Sequence, residues 1–347
     1  MKFSRQRYFF AFMLCFICVL TSCGTQEPTK LSTAAPLIPV RFAAIVGASQ
    51  SYIPDVLISE GIGKKYGFDV QMVNLSSSNQ QWNALRSKDA DVASGSFLDL
   101  LRQRKKGLNV QAFRGFLTFS NQIIMPIDKS YQSLPDLKGA RVGTSSTTSL
   151  DWMILRAAEK KAHGFDIGTD TQVSQSSPQL LTQMILRHQL DAALQFSNLS
   201  FQPLAEHKVK QLTSVQDVLA QSGFDANSFY LLYNVTDSWR AKYGNDAVVK
   251  LSAAMNEAVD TLQKNDSVWT QFADSAGIKD SRLLPQFRDS ERATLKVDYN
   301  QSKLASTQAL LDQINKVVGK ETTGVTTVDP KAFDFTSIEA AKSVHPS

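Results

Sequence analysis

Cysteine is nearly missing from this chain of 347 residues, and the three present, Cys15, Cys18 and Cys23, all fall in its first two dozen positions. From residue 24 onward there is none. That body can hold no disulfide, thiolate nucleophile, thiolate zinc site or iron–sulfur cluster, and its stability must come from burial. Histidine is scarce as well: His163, His188, His207 and His345 have no partner histidine at metal-ligand spacing, and surface roles are expected. A hydrolase needs a nucleophile, a base and an acid that converge. No G-x-S-x-G elbow occurs, since Gly47-Ala48-Ser49-Gln50-Ser51 lacks the second glycine. The glycines at 61, 63 and 67 precede an expected strand instead of linking strand to helix, so they read as a helix stop and turn, not a dinucleotide loop. Gly319-Lys320-Glu321 lacks the upstream glycine and the hydroxyl residue of a phosphate-binding loop. No basic run exceeds Arg104-Lys105-Lys106, which closes a helical pattern through Leu98, Leu100 and Leu101, so no nucleic-acid surface is expected. Neither a cofactor, a metal nor a catalytic residue is predicted.

What is present begins with the first segment. Lys2, Arg5 and Arg7 precede an apolar stretch over residues 8–20, which has the length of a signal-peptide core and is too short to span a bilayer. Leu20-Thr21-Ser22-Cys23 resembles the bacterial lipobox, in which the cysteine is lipidated. Residues 1–22 are therefore expected to be a lipoprotein signal peptide and Cys23 to carry lipid. Residues 23–39 then form a Thr-, Ser- and Pro-rich tether. The product would be exported and anchored to a bacterial membrane, facing the periplasm or the exterior. Without the three signal bases the formal charge falls from +5 to +2. The roughly 325 residues that remain exceed what one core usually organises, so two lobes are expected.

From Val40 short β-rich runs alternate with helical periodicity, which predicts an α/β fold with mostly parallel strands. Strands are expected over 40–46, 68–75, 91–93, 110–116, 141–144, 191–196 and 229–234. Three helices stand out. Leu150, Met153, Ala157 and Ala158 share a face, with Thr148 or Ser149 as cap and Gly164 past the end. Val248, Leu251, Met255, Ala258, Val259 and Leu262 recur at spacings of three and four. Leu310, Leu311, Ile314, Val317 and Val318 do the same and stop at Gly319. No fixed-period repeat is visible.

Strand after strand ends in small hydroxyl and amide residues just before a helix. These clusters are Ser49-Gln50-Ser51-Tyr52, Ser76-Ser77-Ser78-Asn79-Gln80 with Trp82 beyond it, and Ser94-Gly95-Ser96 with Phe97. Thr144-Ser145-Ser146-Thr147-Thr148 and Gln195-Phe196-Ser197-Asn198 complete the set. Singly, each reads as a helix cap. Together, at equivalent strand ends where open α/β sheets hold ligands, they read as a binding cleft. No Asp or Glu belongs to a cluster; Asp99 and Asp151 follow two of them in first helical turns, where the helix dipole accounts for them. That pattern predicts an anionic ligand such as a sulfonate. Arg114 could add a fork for it, though a surface ion pair is the blander use. Trp152 is expected in the core.

The order of these motifs resembles the periplasmic solute-binding proteins of ABC importers for nitrate, sulfonates, taurine and thiamine precursors. Leu134-Pro135-Asp136-Leu137-Lys138-Gly139-Ala140-Arg141-Val142-Gly143 is similar to that family's entry into its second lobe. Gln189-Leu190-Asp191-Ala192-Ala193 and Lys88-Asp89-Ala90-Asp91-Val92-Ala93 resemble its paired "D-A-A" strands. Where many relatives carry an aromatic-Glu-Pro triplet this chain has Phe196-Ser197-Asn198, so no carboxylate is supplied there. The resemblance implies a two-lobed, type II periplasmic-binding-protein fold with the ligand between lobes joined by two crossovers. Lobe one would take 40–119 and 226–347, with the C-terminal helices and tail, and lobe two 120–225. It implies a non-enzymatic, monomeric binding component that delivers a small molecule to a permease and its ATPase. Alternatives left open are an enzyme on the same fold, related to pyrimidine precursors, and a ligand-sensing lipoprotein not coupled to transport.

Overall fold

The computed structural model describes residues 36–295 and 297–345. The expected signal peptide, Cys23 and the tether up to residue 35 lie outside the described residues. Within them, ten strands form two five-stranded sheets. The first contains β1 (Ile38–Ile45), β2 (Phe68–Leu75), β3 (Val92–Ser96), β4 (Val110–Leu117) and β10 (Leu231–Thr236). The second contains β5 (Gln122–Pro126), β6 (Arg141–Thr144), β7 (Gln172–Gln175), β8 (Ala192–Gln195) and β9 (Val209–Ser214). Their orders, β2-β1-β3-β10-β4 and β7-β6-β8-β5-β9, are the same plan twice.

The sheets are mixed, where mostly parallel strands were expected. β1 pairs in parallel with β2 and β3, and β6 with β7 and β8. β10 runs antiparallel to β3 and β4, and β5 antiparallel to β8 and β9. The reversed strand in each sheet is the one that has just crossed over from the other, so it enters from the opposite end. The chain leaves the first sheet between Leu117 and Gln122 and returns between Ser214 and Leu231.

Each half repeats one electrostatic device. The Arg41 guanidinium donates from Nε and Nη2 to Asp91 at 2.9 Å each, and its backbone N–H donates to the same carboxylate at 3.0 Å. Arg141 does the same to Asp191 at 2.9–3.1 Å. In both pairs the partners are fifty positions apart, joining β1 to the approach of β3 in one half and β6 to the approach of β8 in the other. The two "D-A-A" segments thus serve as matching clips, bidentate and charge-assisted.

The three expected helices form. Leu150–His163 is capped by Ser149, whose hydroxyl accepts from the Trp152 N–H, and ends at Gly164 with φ 69°. Asn245–Lys264 and Lys303–Val318 carry the other two periodic faces. Lys303–Val318 packs against Leu150–His163, so the C-terminal helices also reach the helix layer of the second sheet. One continuous apolar core draws on both halves, from Phe42 and Phe113 to Trp152 and Leu219. A smaller one of Ile124, Leu181 and Ile185 lies under β5 and β8. Among the described residues no helix is long and apolar enough to cross a membrane.

Candidate functional site

The strand ends of the two sheets face one another around about 800 Å³ of empty space, part of it open to solvent. β3 delivers Ser94, Gly95 and Ser96 to it, and the turn after β1 delivers Ser49 and Gln50. β6 leads into Ser145 and Ser146, and β8 into Phe196 and Ser197. Ser78 starts the helix Ser78–Ser87 on the same wall. Leu117, Leu150, Leu194 and Leu231 supply apolar surface between these polar groups.

The first wall is held by Gln81. Its Nε2 donates to Ala43 O at 2.9 Å, Gln50 Oε1 at 3.0 Å and Ser94 Oγ at 3.2 Å; Ser94 Oγ in turn donates to Gln50 Oε1. Tyr233 OH donates to Gln50 O at 2.7 Å. Position 95 must be glycine because a Cβ there would stand 2.3 Å from Cζ2 of Trp82.

The second wall spends its donors on itself. The N–H groups of Ser146, Thr147, Thr148 and Ser149 donate to Thr144 Oγ1, Gln175 Oε1, Ser146 Oγ and Ser146 O. The loop therefore presents fewer free amides than its Ser/Thr content promised.

Several expected ligand residues lie elsewhere. Asn79, Trp82 and Thr148 line an adjoining recess beside Arg102. Tyr52 and Phe97 are in the core. The Tyr52 ring packs at 4.4 Å from Phe272 and 5.4 Å from Trp269, where its apolar area is fully removed from water. Gln195 turns away, donating to Pro178 O at 2.6 Å and Thr182 Oγ1 at 2.9 Å. Ser51 and the half-buried Thr147 do not line the cavity. Asn198 is buried and donates from Nδ2 to Gly47 O at 2.6 Å, tying the lobes together. Arg114 forms neither a ligand fork nor a surface pair: it is buried against Asn256, and burial lowers its pKa to about 10. Trp152 is in the core.

Asp99 and Asp151, assigned from the sequence to their helix dipoles, are carboxylates of the cavity wall itself. Asp99 lines the cavity and closes a cap with Ser96, receiving the Ser96 hydroxyl at 2.7 Å, with Arg102 at 3.6 Å. Asp151 also lines it, yet its side chain does not cap its own helix. Oδ2 receives Asn121 Nδ2 at 2.9 Å and Tyr230 OH at 2.8 Å, while Oδ1 has no hydrogen-bond partner among the described residues. Burial raises the Asp151 pKa to about 6, against the two hydrogen bonds that oppose the rise. Glu291, on the helix Leu284–Thr294, sits behind the lining. It receives Ser49 Oγ at 2.8 Å, Tyr52 OH at 3.2 Å and Ser197 Oγ at 3.1 Å, and its own burial pushes its pKa up. No Lys, Arg or His lines this cavity among the described residues. The expected anionic ligand rested on clusters without acids and on Asp99 and Asp151 serving only their helices, whereas both acids line the cavity. Asp151 was in view as a first-turn residue, but its orientation depends on Asn121 and Tyr230 in the crossovers, which no periodic pattern reveals.

Residues 60–267 match the family described as NMT1/THI5 like. Among solved structures the chain is similar to the alkanesulfonate-binding protein of Xanthomonas axonopodis pv. citri, with a TM-score of 0.70 at 13% identity, covering 87% of this chain and 100% of that one. The aliphatic sulphonate binding protein of Escherichia coli gives 0.63 at 15%, covering 89% and 93%. The nitrate-binding protein of Synechocystis gives 0.64 at 13%, covering 89% of each. This likeness establishes the two-lobed α/β fold of periplasmic binding proteins. The arginine-binding extracellular protein of Bacillus subtilis is 29% identical over 142 residues, which cover 37% of this chain and 51% of that protein. The chain thus spans about half the length of the curated relative it matches.

Proposed function

The chain belongs to the NMT1/THI5-like family, and from that membership we propose that it is the extracytoplasmic solute-binding component of an ABC importer. It takes up a small organic molecule between its lobes and passes it to a permease driven by an ATPase. The observation that carries this reading is the cavity where the strand ends of two like-planned sheets converge, lined by hydroxyl, amide and apolar side chains. Among the described residues its serines have no histidine or lysine beside them to act as base, which supports binding over catalysis. The relatives' names point both ways on ligand charge: sulfonate and nitrate are anions, arginine is a cation. Lipidation at Cys23 would hold the chain, as a monomer, at the outer face of the membrane that carries the permease, and the lipobox-like residues support it.

The test is to purify the chain natively, release any bound solute by denaturation and identify it by mass spectrometry. Titration back into stripped protein is expected to give a dissociation constant near micromolar or below, about −8 kcal/mol. A chain that carries no solute and binds none from a broad metabolite library overturns the proposal.

A further inference from the structure

We infer that Asp151 selects the solute by charge: its unpartnered carboxylate oxygen receives a protonated nitrogen head, an amine or amidine, at the junction of the two crossovers. The inference rests on the solute-binding reading and adds to it the chemical class of the ligand.

Three independent observations carry it. First, Asp151 lines the cavity and is 6% exposed, and its Oδ1 has no hydrogen-bond partner among the described residues. Buried polar atoms are paired in the great majority of cases, so an orphan acceptor in a ligand cavity marks where a donor belongs. Second, Oδ2 is fixed by Asn121 and Tyr230, which also bond each other at 2.9 Å, so the carboxylate is aimed and cannot turn to satisfy itself. Third, no cation compensates it among the described residues. The titratable groups that bear on it are Tyr230 and, from the opposite lobe, Asp99, whose own cation is Arg102. A buried carboxylate without a cation is costly, and a protonated nitrogen restores the balance where a sulfonate or nitrate would add repulsion. Phe196, Leu150 and Leu194 offer apolar surface in the same cavity for the body of such a solute.

Ionisation supports the assignment. With its pKa raised to about 6, Asp151 is charged at neutral pH and loses that charge under mildly acidic conditions. Binding of a cation should therefore weaken as pH falls through about 6.

The experiment is a thermal-shift and calorimetric comparison on the purified chain. It uses a solute library divided by head-group charge, with benzamidine, benzoate and benzenesulfonate as matched members. Members bearing a protonated nitrogen are expected to bind, with affinity at least tenfold lower at pH 5 than at pH 7.5. Asp151→Asn should lose at least tenfold at pH 7.5 and show no pH dependence. Tyr230→Phe, which keeps the charge and frees its aim, should lose less and keep the pH profile. Binding confined to anionic members, or cation binding unchanged in Asp151→Asn, overturns the charge assignment and leaves the solute-binding reading standing. Binding of no member in either arm overturns both.

Discussion

Asp151 carries a burial cost to the fold that its proposed place in the site would explain. Its folded pKa, about 6, lies above the ordinary aspartate value of 3.8, so burial penalises the ionised form. A raised acid contributes most below its unfolded pKa and loses that contribution as pH rises through the folded one. In the ligand-free protein Asp151→Asn should therefore be more stable than wild type at pH 8, by about 2–3 kcal/mol, with the two converging below pH 4. Denaturant melts at the two pH values check this; equal stability at pH 8 would mean that the carboxylate is solvated. A gain in stability with a loss of binding is the usual exchange at functional positions. Gly95 carries the opposite constraint. The space a Cβ would need is filled by the buried indole of Trp82, so Gly95→Ala should cost about 1–3 kcal/mol through forced displacement, measured as a lower denaturation midpoint.

Among the elements, the helix Leu284–Thr294 does more than its polar sequence implied. Glu291 receives hydroxyls from Ser49 and Tyr52 on one side and Ser197 on the other, so this helix fastens the backs of both walls. Glu291→Leu should leave three hydroxyls without their acceptor and cost about 2–4 kcal/mol, whereas Ser197→Ala removes one donor and should cost about 1 kcal/mol or less. Chemical denaturation of the two variants separates them, and equal losses would deny Glu291 its joining role. Elements of this kind mark how far the sequence was legible. Helices with a one-sided apolar stripe, Leu150–His163 above all, could be read with cap and stop, as could strands such as β2. β5, β7 and β9 could not. β7 and β9 are short and polar at sheet edges, and β5 is five residues ending in proline, so none offers a period to count. The strand-end clusters directed attention to the cleft. They could not say which of two adjacent side chains faces it, so Ser94 and Ser96 were found together with Phe97, which points into the core.

At the scale of the whole molecule, Asp151 is gripped by one residue from each passage between sheets, Asn121 on the way out and Tyr230 on the way back. A solute on Asp151 would act where the two passages meet, while direct bonds between the lobes tie the turn after β1 to the second lobe. Asn198 Nδ2 donates to Gly47 O, and Gln179 Nε2 to Val46 O at 2.5 Å. If the lobes part, these groups exchange each other for water, so each would contribute about 1 kcal/mol to closure. Deleting both should shift an open–closed balance by about 2 kcal/mol, roughly thirtyfold, and weaken solute binding by up to a similar factor if the ligand is engaged from both walls only on closure. The folded lobes keep their cores, so the melting temperature should move little. Small-angle scattering and calorimetry on the Gln179→Ala/Asn198→Ala protein test this. A larger radius of gyration without solute, compaction on adding it and reduced affinity would fit the account. Unchanged affinity and radius would mean that closure is held elsewhere, with Arg102, which bonds the Thr148 carbonyl across the same cleft, the next residue to remove.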